Sequence, residues 1–160
     1  LSRMDEDLSE METAEFNLSD MATDIVSEFE NLSTERGKRL SADITPEISY
    51  TGDEGMIRRL LSILLDNAVK YCDPGGSIRV RVYRKGHHPV ITVENSYRDI
   101  DQVELDRLFD RFYRADKART FSGNFGVGLS IAKGIAQKHR GDITVCKKGD
   151  GVIGFKAVLK

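Results

Sequence analysis

Two closely spaced glycines late in the chain, Gly126 and Gly128, constrain the fold more than any other feature. They stand at the start of an apolar-periodic segment that includes Val127, Ile131 and Ile135, which predicts a glycine-rich loop entering a helix. The first turn of a helix has backbone N–H groups without internal partners and the positive end of the helix dipole. Glycines there let a phosphate oxygen approach the bare amides. The alternative is that this Gly-x-Gly is only a tight turn.

The elements around this loop mix helices with strands that come mainly as hairpins. The strongest helix has apolar residues at i, i+3, i+4, i+7, i+8 and i+11 between Ile57 and Ala68. Hairpins are predicted for residues 77–94 and 141–159. A dinucleotide-binding parallel sheet would carry its glycine loop early, directly after the first strand. We therefore predict an α/β (α+β) two-layer sandwich in which a mixed, largely antiparallel sheet packs on a layer of helices.

Shorter elements complete the predicted order. A strand over 15–18 precedes a helix capped by Ser19, and two further strands, split by Pro46, are predicted to be joined by a turn. Residues 95–125 form a polar, aromatic-rich stretch with only short helical character. A loop of that length in a compact domain is typical of a lid or a binding loop. A helix over 126–139 follows it.

Composition excludes several classes of function. The chain has 160 residues and a formal net charge of −2, which gives no electrostatic argument for binding nucleic acid. Cys72 and Cys146 have no Cys or His neighbour at metal-ligand spacing, so zinc is not expected and a disulfide is not favoured. No apolar run approaches the length of a membrane span. The chain begins with Leu1, which suggests a piece of a longer protein.

A second polar group lies on the strongest helix. Asn67, Lys70 and Tyr71 share one stripe of that helix, because their spacing is i, i+3, i+4. An asparagine carbonyl oxygen is a neutral, hard ligand of the kind that Mg²⁺ uses together with water and phosphate oxygens. A lysine one turn away can neutralise phosphate charge. The alternative is a polar residue near a helix end beside a solvated lysine.

Together the two groups predict one Mg²⁺–nucleotide site covered by the long loop, without a Walker motif. The residues then resemble a known family, the sensor histidine kinases. L-L-D-N-A-V-K-Y at 64–71 is similar to their N box, R-L-F-D-R-F-Y-R at 107–114 to their F box, and G-V-G-L-S-I-A-K at 126–133 to their G2 box. The motifs occur in the family's order and the resemblance covers nearly the whole chain.

The resemblance implies the Bergerat ATP-binding fold and a set of residue roles. Asn67 would bind Mg²⁺, and both Asn67 and Lys70 would be catalytic. Phe109 and Phe112 would anchor the lid, and Gly126 and Gly128 would hinge it. The remaining residues expected to contact ATP are Tyr71, Asn95, Arg111, Arg114, Val127 and Leu129.

The sequence departs from the family pattern at the G1 box. Asn95 stands where the family has an aspartate that accepts a hydrogen bond from the adenine amino group, and Tyr97 and Asp99 stand at its two glycine positions. A neutral acceptor in place of a charged one predicts adenine binding weakened roughly tenfold, with relaxed discrimination against guanine. Tyr97 could strain the backbone, block the pocket or stack on the base. Ile63 replaces an asparagine that the family often has.

The resemblance also implies a context. Residues 1–12 would end a dimerisation helix and its linker, and 13–160 would form the catalytic domain. The domain would phosphorylate a histidine of the dimerisation domain of a homodimeric, membrane-anchored parent, on the cytoplasmic side, for transfer to a response-regulator aspartate. His87, His88 and His139 are expected to be solvated surface residues and not the phospho-acceptor. The acceptor histidine would lie upstream of Leu1, so the fragment should not autophosphorylate. The alternative is a pseudokinase or phosphatase-biased module with impaired nucleotide binding.

Overall fold

The computed structural model describes residues 11–110, 125–149 and 151–160. Within this part of the chain there are three α-helices, namely α1 (Leu18–Glu35), α2 (Glu54–Tyr71) and α3 (Phe125–Lys138). The strands are β1 (Ala14–Asn17), β2 (Arg39–Ile44), β3 (Ser49–Gly52), β4 (Ser77–Lys85), β5 (His88–Ser96), β6 (Asp142–Lys147) and β7 (Val152–Val158). Two single 3₁₀ turns, Ile100–Gln102 and Leu105–Arg107, follow β5. None of the helices in the described ranges is long and apolar enough to cross a membrane.

The main sheet has five strands in the order β2-β4-β5-β7-β6. The β2–β4 pair is parallel and the other three pairs are antiparallel, which confirms the mixed, largely antiparallel sheet. β3 instead pairs with β1 in a separate two-stranded ribbon. The two strands on either side of Pro46 are therefore joined in sequence but belong to different sheets.

One face of the five-stranded sheet packs against the helices. Alternate residues of β4, namely Ile78, Val80 and Val82, are fully buried, whereas Arg79 between them is exposed. Their neighbours in the core come from α2, which contributes Leu60, Leu61, Leu64 and Leu65 at 0% exposure. Buried residues recur at every second position of β4 and about every 3.6 positions of α2. This is the pattern of a sheet packed on helices, and it confirms the two-layer architecture.

The two long helices at the start of the fold have side-chain caps. Asp53 precedes α2 and its Oδ1 accepts from the Met56 N–H at 3.0 Å. α1 is capped by Asn17, whose Oδ1 accepts from the Asp20 N–H at 2.9 Å. The prediction of Ser19 as the cap is wrong, because the Ser19 hydroxyl donates to the Thr45 carbonyl and accepts from the Ile48 N–H.

His139, expected to be solvated, is only 4% exposed. The Asp53 N–H donates to its Nε2 at 3.0 Å, so the proton lies on Nδ1, which is 2.8 Å from the Ile135 carbonyl. The ring also packs on Tyr50 with centroids 5.9 Å apart. His139 therefore joins the end of α3, the start of α2 and the ribbon. His87 and His88 are exposed at the β4–β5 turn, as predicted.

Candidate functional site

The last turns of α2 place a buried carboxamide at the edge of the core. Asn67 is 7% exposed, and its Oδ1 has no hydrogen-bond partner among the described residues. Leu64 and Leu60, one and two turns earlier on the same side of the helix, belong to the hydrophobic core, so the amphipathic pattern of α2 directs Asn67 inward. A buried amide oxygen without a partner costs about 1–3 kcal/mol, which makes Asn67 a candidate ligand-binding residue.

The end of β5 places a second carboxamide beside it. Asn95 is 1% exposed and pairs in the sheet with Ile78 and Ile153. Its Nδ2 donates to the Ser96 carbonyl at 3.1 Å, while its Oδ1 has no hydrogen-bond partner in the described part of the chain. One of the two donor hydrogens of this amide is thus used, which fixes the orientation of the amide, and its acceptor oxygen is available.

Asn67 and Asn95 line the same pocket. Tyr71 and Tyr97 add two phenol rings to its lining, and the remaining walls are the apolar side chains of Val103, Leu108, Ile153 and Phe155. The enclosed space is about 20 Å³, which holds about one water molecule. Apolar walls with a few convergent polar groups are typical of a small-molecule site.

The glycine-rich start of α3 lies beside α2. A Cβ on Gly128 would stand 3.5 Å from Cγ2 of Ile63, which is one turn before Asn67 on α2. Gly126 and Val127 belong to the first turn of α3, and Leu129 is fully buried in the core. The start of α3 therefore packs on α2 one helical turn before Asn67, and the convergence of the two on one phosphate site stays a prediction.

Lys70 is placed differently from Asn67 and Tyr71. Its ammonium forms an ion pair with Asp66 at 3.0 Å, and its side chain is 42% exposed. It is not among the described residues that line the pocket. An exposed i, i+4 pair of this kind contributes only about 0.3–0.5 kcal/mol, so Lys70 can exchange Asp66 for another anion at little cost.

The segment after β5 forms the outer wall of the pocket. Leu108 is 2% exposed, and the Phe109 ring meets the Phe155 ring edge-on with centroids 5.9 Å apart. The predicted contacts of Phe112, Arg111 and Arg114 lie outside the described residues. Residues on the far side of the pocket, Ile153 and Phe155, were not predicted, because their alternation in β7 is the same as that of ordinary core residues.

The backbone at the two positions where glycines were expected is unstrained. Neither Tyr97 nor Asp99 has a positive φ, so the strain considered for Tyr97 does not arise. The Tyr97 N–H donates to the Gly151 carbonyl at 2.7 Å and the Arg98 N–H to Asp73 Oδ2 at 2.8 Å. These bonds fix the start of the segment that follows β5.

Cys72, directly after α2, is not a nucleophile of this site. Burial raises the pKa of its thiol above the ordinary value of 9.0, and this effect is opposed by the nearby charge of Lys38. Both cysteines are free, Cys72 buried and Cys146 partly exposed. The thiol of Cys72 stays protonated at neutral pH and acts as a small apolar group.

Comparison with known proteins gives a consistent result. Residues 52–160 match the family described as histidine kinase-, DNA gyrase B-, and HSP90-like ATPase. The sensor protein DltS of Streptococcus agalactiae serotype V is 33% identical over 150 residues, covering 94% of this chain and 38% of that protein. The sensor histidine kinase CusS of Escherichia coli O157:H7 is 40% identical over 136 residues, covering 84% and 28%.

A structural comparison agrees in fold. The Acinetobacter baumannii histidine kinase AdeS superposes with a TM-score of 0.78 at 18% identity, covering 99% of this chain and 72% of that chain. At that identity the likeness concerns the fold alone. The chain spans less than two fifths of the length of the two relatives named above.

Proposed function

This chain belongs to the histidine kinase-, DNA gyrase B- and HSP90-like ATPase family and corresponds to the catalytic domain of a sensor histidine kinase, and from this premise we propose that the Asn67–Asn95 pocket binds the adenine end of Mg²⁺–ATP. The observation that carries the proposal is a pair of carboxamides that line one pocket and whose buried oxygens have no partner among the described residues. The two sequence relatives named above are a sensor protein and a sensor histidine kinase, which supports the kinase interpretation over the impaired-binding alternative.

Asn95 is proposed to recognise the base. Because its Nδ2 is occupied by the Ser96 carbonyl, its Oδ1 faces the ligand as an acceptor for the exocyclic amine of adenine. Guanine carries a carbonyl at the corresponding position, which would meet another acceptor. The partly exposed Tyr97 lines the same pocket and is expected to shift when the base enters.

Asn67 and the start of α3 are proposed to hold the metal and the phosphates. The Asn67 Oδ1 is a neutral oxygen with no protein partner in the described ranges, which fits the donor preference of Mg²⁺. The metal, when bound, would neutralise phosphate charge. The first amides of α3, at Gly126, Val127, Gly128 and Leu129, would bind phosphate oxygens. Lys70, Arg111 and Arg114 are proposed to supply further positive charge.

The proposed reaction is transfer of the γ-phosphoryl group to a histidine elsewhere in the parent protein, for relay to an aspartate of a response regulator. None of the three histidines of this chain suits that role. His139 is buried with both ring nitrogens hydrogen-bonded. His88 is seven positions from Asn95 along β5, about 23 Å at the rise of an extended strand. Residues 1–12 are proposed to lead from a helical dimerisation domain of a membrane-anchored homodimer into this domain.

The test is calorimetric titration of this chain with Mg²⁺ and a non-hydrolysable ATP analogue. The unsubstituted chain is expected to bind in the micromolar to low-millimolar range, and Asn67→Ala is expected to weaken binding about tenfold or more. Asn31→Ala on the exposed side of α1 is the matched control and should leave binding unchanged. Absence of binding at several millimolar analogue would overturn the proposal and favour the nucleotide-binding-impaired alternative.

A further inference from the structure

Lys133, in the middle of α3, has three contacts that converge on one ammonium group. Its Nζ donates to the Ile143 carbonyl at 3.2 Å and pairs with Asp142 Oδ1 at 3.1 Å. The same Nζ lies 4.6 Å from the centroid of the Phe109 ring, within the range of a cation–π contact. The ammonium thus connects α3, the start of β6 and the segment that follows β5.

Phe109 lies between Lys133 and the wall of the pocket. Its ring also contacts Phe155, which is 2% exposed and lines the pocket. Its chain neighbour Leu108 is equally buried and also lines the pocket. The position of Leu108 therefore depends on where the Phe109 ring is held, and Lys133 contacts that ring.

We infer that Lys133 is a positioning residue for the nucleotide base, acting through Phe109 to hold the Leu108 wall of the pocket in place. This inference rests on the proposed function. Lys133 lies five residues after Gly128, about 7.5 Å further along the helix axis, and its ammonium is engaged by β6 rather than directed to the start of α3. Its role is thus distinct from neutralising phosphate charge, which is the usual expectation for a lysine near a triphosphate.

The experiment compares two ligands in the presence of Mg²⁺, ATP and inorganic tripolyphosphate, each competing with a fluorescent ATP analogue. Lys133→Met keeps the length of the side chain but removes its charge, and it should raise the Kd of ATP about threefold to tenfold. The Kd of tripolyphosphate should not change, because that ligand has no base. Lys133→Arg should restore ATP binding, since a guanidinium preserves both the ring contact and the ion pair.

Asp142→Asn is the matched control. It removes the ion pair to Lys133 while leaving the Phe109 contact, and it should bind ATP like the unsubstituted chain. If Asp142→Asn weakens ATP binding as much as Lys133→Met, the lysine acts by fastening β6 and the inference is wrong. Equal weakening of ATP and tripolyphosphate by Lys133→Met would also overturn it, because that result indicates a direct phosphate contact.

A double-mutant cycle with Phe109→Leu tests the route through the ring. The losses of ATP affinity in Lys133→Met and Phe109→Leu should be non-additive, since each removes the same contact; additive losses contradict the inference. Amide hydrogen exchange at Leu108 and Phe109 should be faster in Lys133→Met, and unchanged exchange also counts against it. If the unsubstituted chain binds no ATP, the proposed function fails as well; if it binds ATP and Lys133→Met binds equally tightly, only this inference fails.

Discussion

At the scale of single residues, two buried carboxamides are expected to lower the stability of the ligand-free protein and to strengthen ligand binding. The Oδ1 atoms of Asn67 and Asn95 are buried without partners among the described residues, and each such atom lowers the free energy of unfolding of the ligand-free protein by about 1–3 kcal/mol. Natural sequences retain such costs mainly at functional sites. A ligand that donates to Asn95, or a metal bound by Asn67, would recover that free energy.

We predict that Asn95→Val weakens ATP binding without lowering the stability of the fold. Valine suits a buried strand and fills part of the small cavity, and the Ser96 carbonyl still accepts from the Asp73 N–H at 3.0 Å. The free energy of unfolding, measured by urea denaturation, should stay equal or rise by up to about 1 kcal/mol. The Kd of Mg²⁺–ATP, measured calorimetrically, should rise at least about tenfold.

The control for that prediction lies on the same strand. Thr92 is 5% exposed, and its Oγ1 also has no hydrogen-bond partner within the described ranges, but it points to the other face of β5. Thr92→Val should likewise leave stability unchanged or raised, and it should leave ATP binding unchanged. Similar ATP affinities in the two valine variants would contradict the assignment of Asn95 to the base.

The raised pKa of Cys72 predicts how the free energy of unfolding depends on pH. Burial raises the pKa of its thiol above 9.0 in the folded protein, so above that pH the unfolded chain releases a proton that the folded chain keeps. The free energy of unfolding should therefore fall as the pH rises through about 9 to 10, and Cys72→Ala should show a smaller fall. Urea denaturation of both proteins at several pH values measures this difference. Equal slopes of the free energy of unfolding against pH in the two proteins would contradict the prediction. Burial also raises the pKa of Tyr50, but Tyr50 should contribute only above about pH 10.

At the scale of elements, His139 connects parts of the fold that are far apart in sequence. Its Nε2 accepts from Asp53, which caps α2, and Asp53 Oδ2 accepts from the Glu12 N–H at 2.9 Å. Gly52 passes so close that a Cβ there would stand 2.7 Å from Cδ2 of His139. The ribbon, the start of α2 and the end of α3 therefore meet at one imidazole.

We predict that His139→Ala destabilises the domain by about 3 kcal/mol, because it leaves the Asp53 N–H without its partner and opens a cavity. His139→Gln should recover part of this loss, since its amide oxygen can accept from Asp53. His88→Ala, at an exposed position, should change stability by less than about 0.5 kcal/mol. Urea denaturation measures the free energy of unfolding of all three variants. A loss in His139→Ala as small as that in His88→Ala would show that the contacts of His139 contribute little to stability.

At the scale of the whole molecule, the site forms where the hydrophobic core meets the end of β5, an interior strand of the sheet. α2 contributes Asn67, β5 contributes Asn95 and β7 contributes Phe155, and all three are at most 7% exposed. Because the proposed site would position a nucleotide without an acceptor among the described residues that line it, we expect the chain to donate phosphoryl groups and not to receive them.

We predict that this chain, incubated alone with radiolabelled Mg²⁺–ATP, gains no acid-labile phosphate. His87 and His88 lie at the far end of β5 from Asn95, and His139 is buried. A double variant with His87→Ala and His88→Ala is the control and should behave identically. Incorporation of label that disappears in that variant would show that the turn histidines reach the nucleotide.

The sequence was most informative where the signal is local. The period of α2 predicted that Asn67 lies on the helix face beside core residues, and the paired glycines predicted the start of α3, because both patterns fall within one element. The burial of His139 was missed because its partner Asp53 is 86 residues away. The parallel β2–β4 pair and the walls at Ile153 and Phe155 were missed for the same reason, since pairing between distant strands leaves no distinct mark on either strand.

The bond from the Glu12 N–H to the carboxylate that caps α2 links the chain before β1 to the helix that carries Asn67. This bond lies at one end of α2, and Asn67 stands fourteen residues after Asp53 along that helix, about 21 Å away. A displacement of the chain at Glu12 is therefore expected to act first on the cap of α2, the helix that carries the carboxamide proposed to bind the metal.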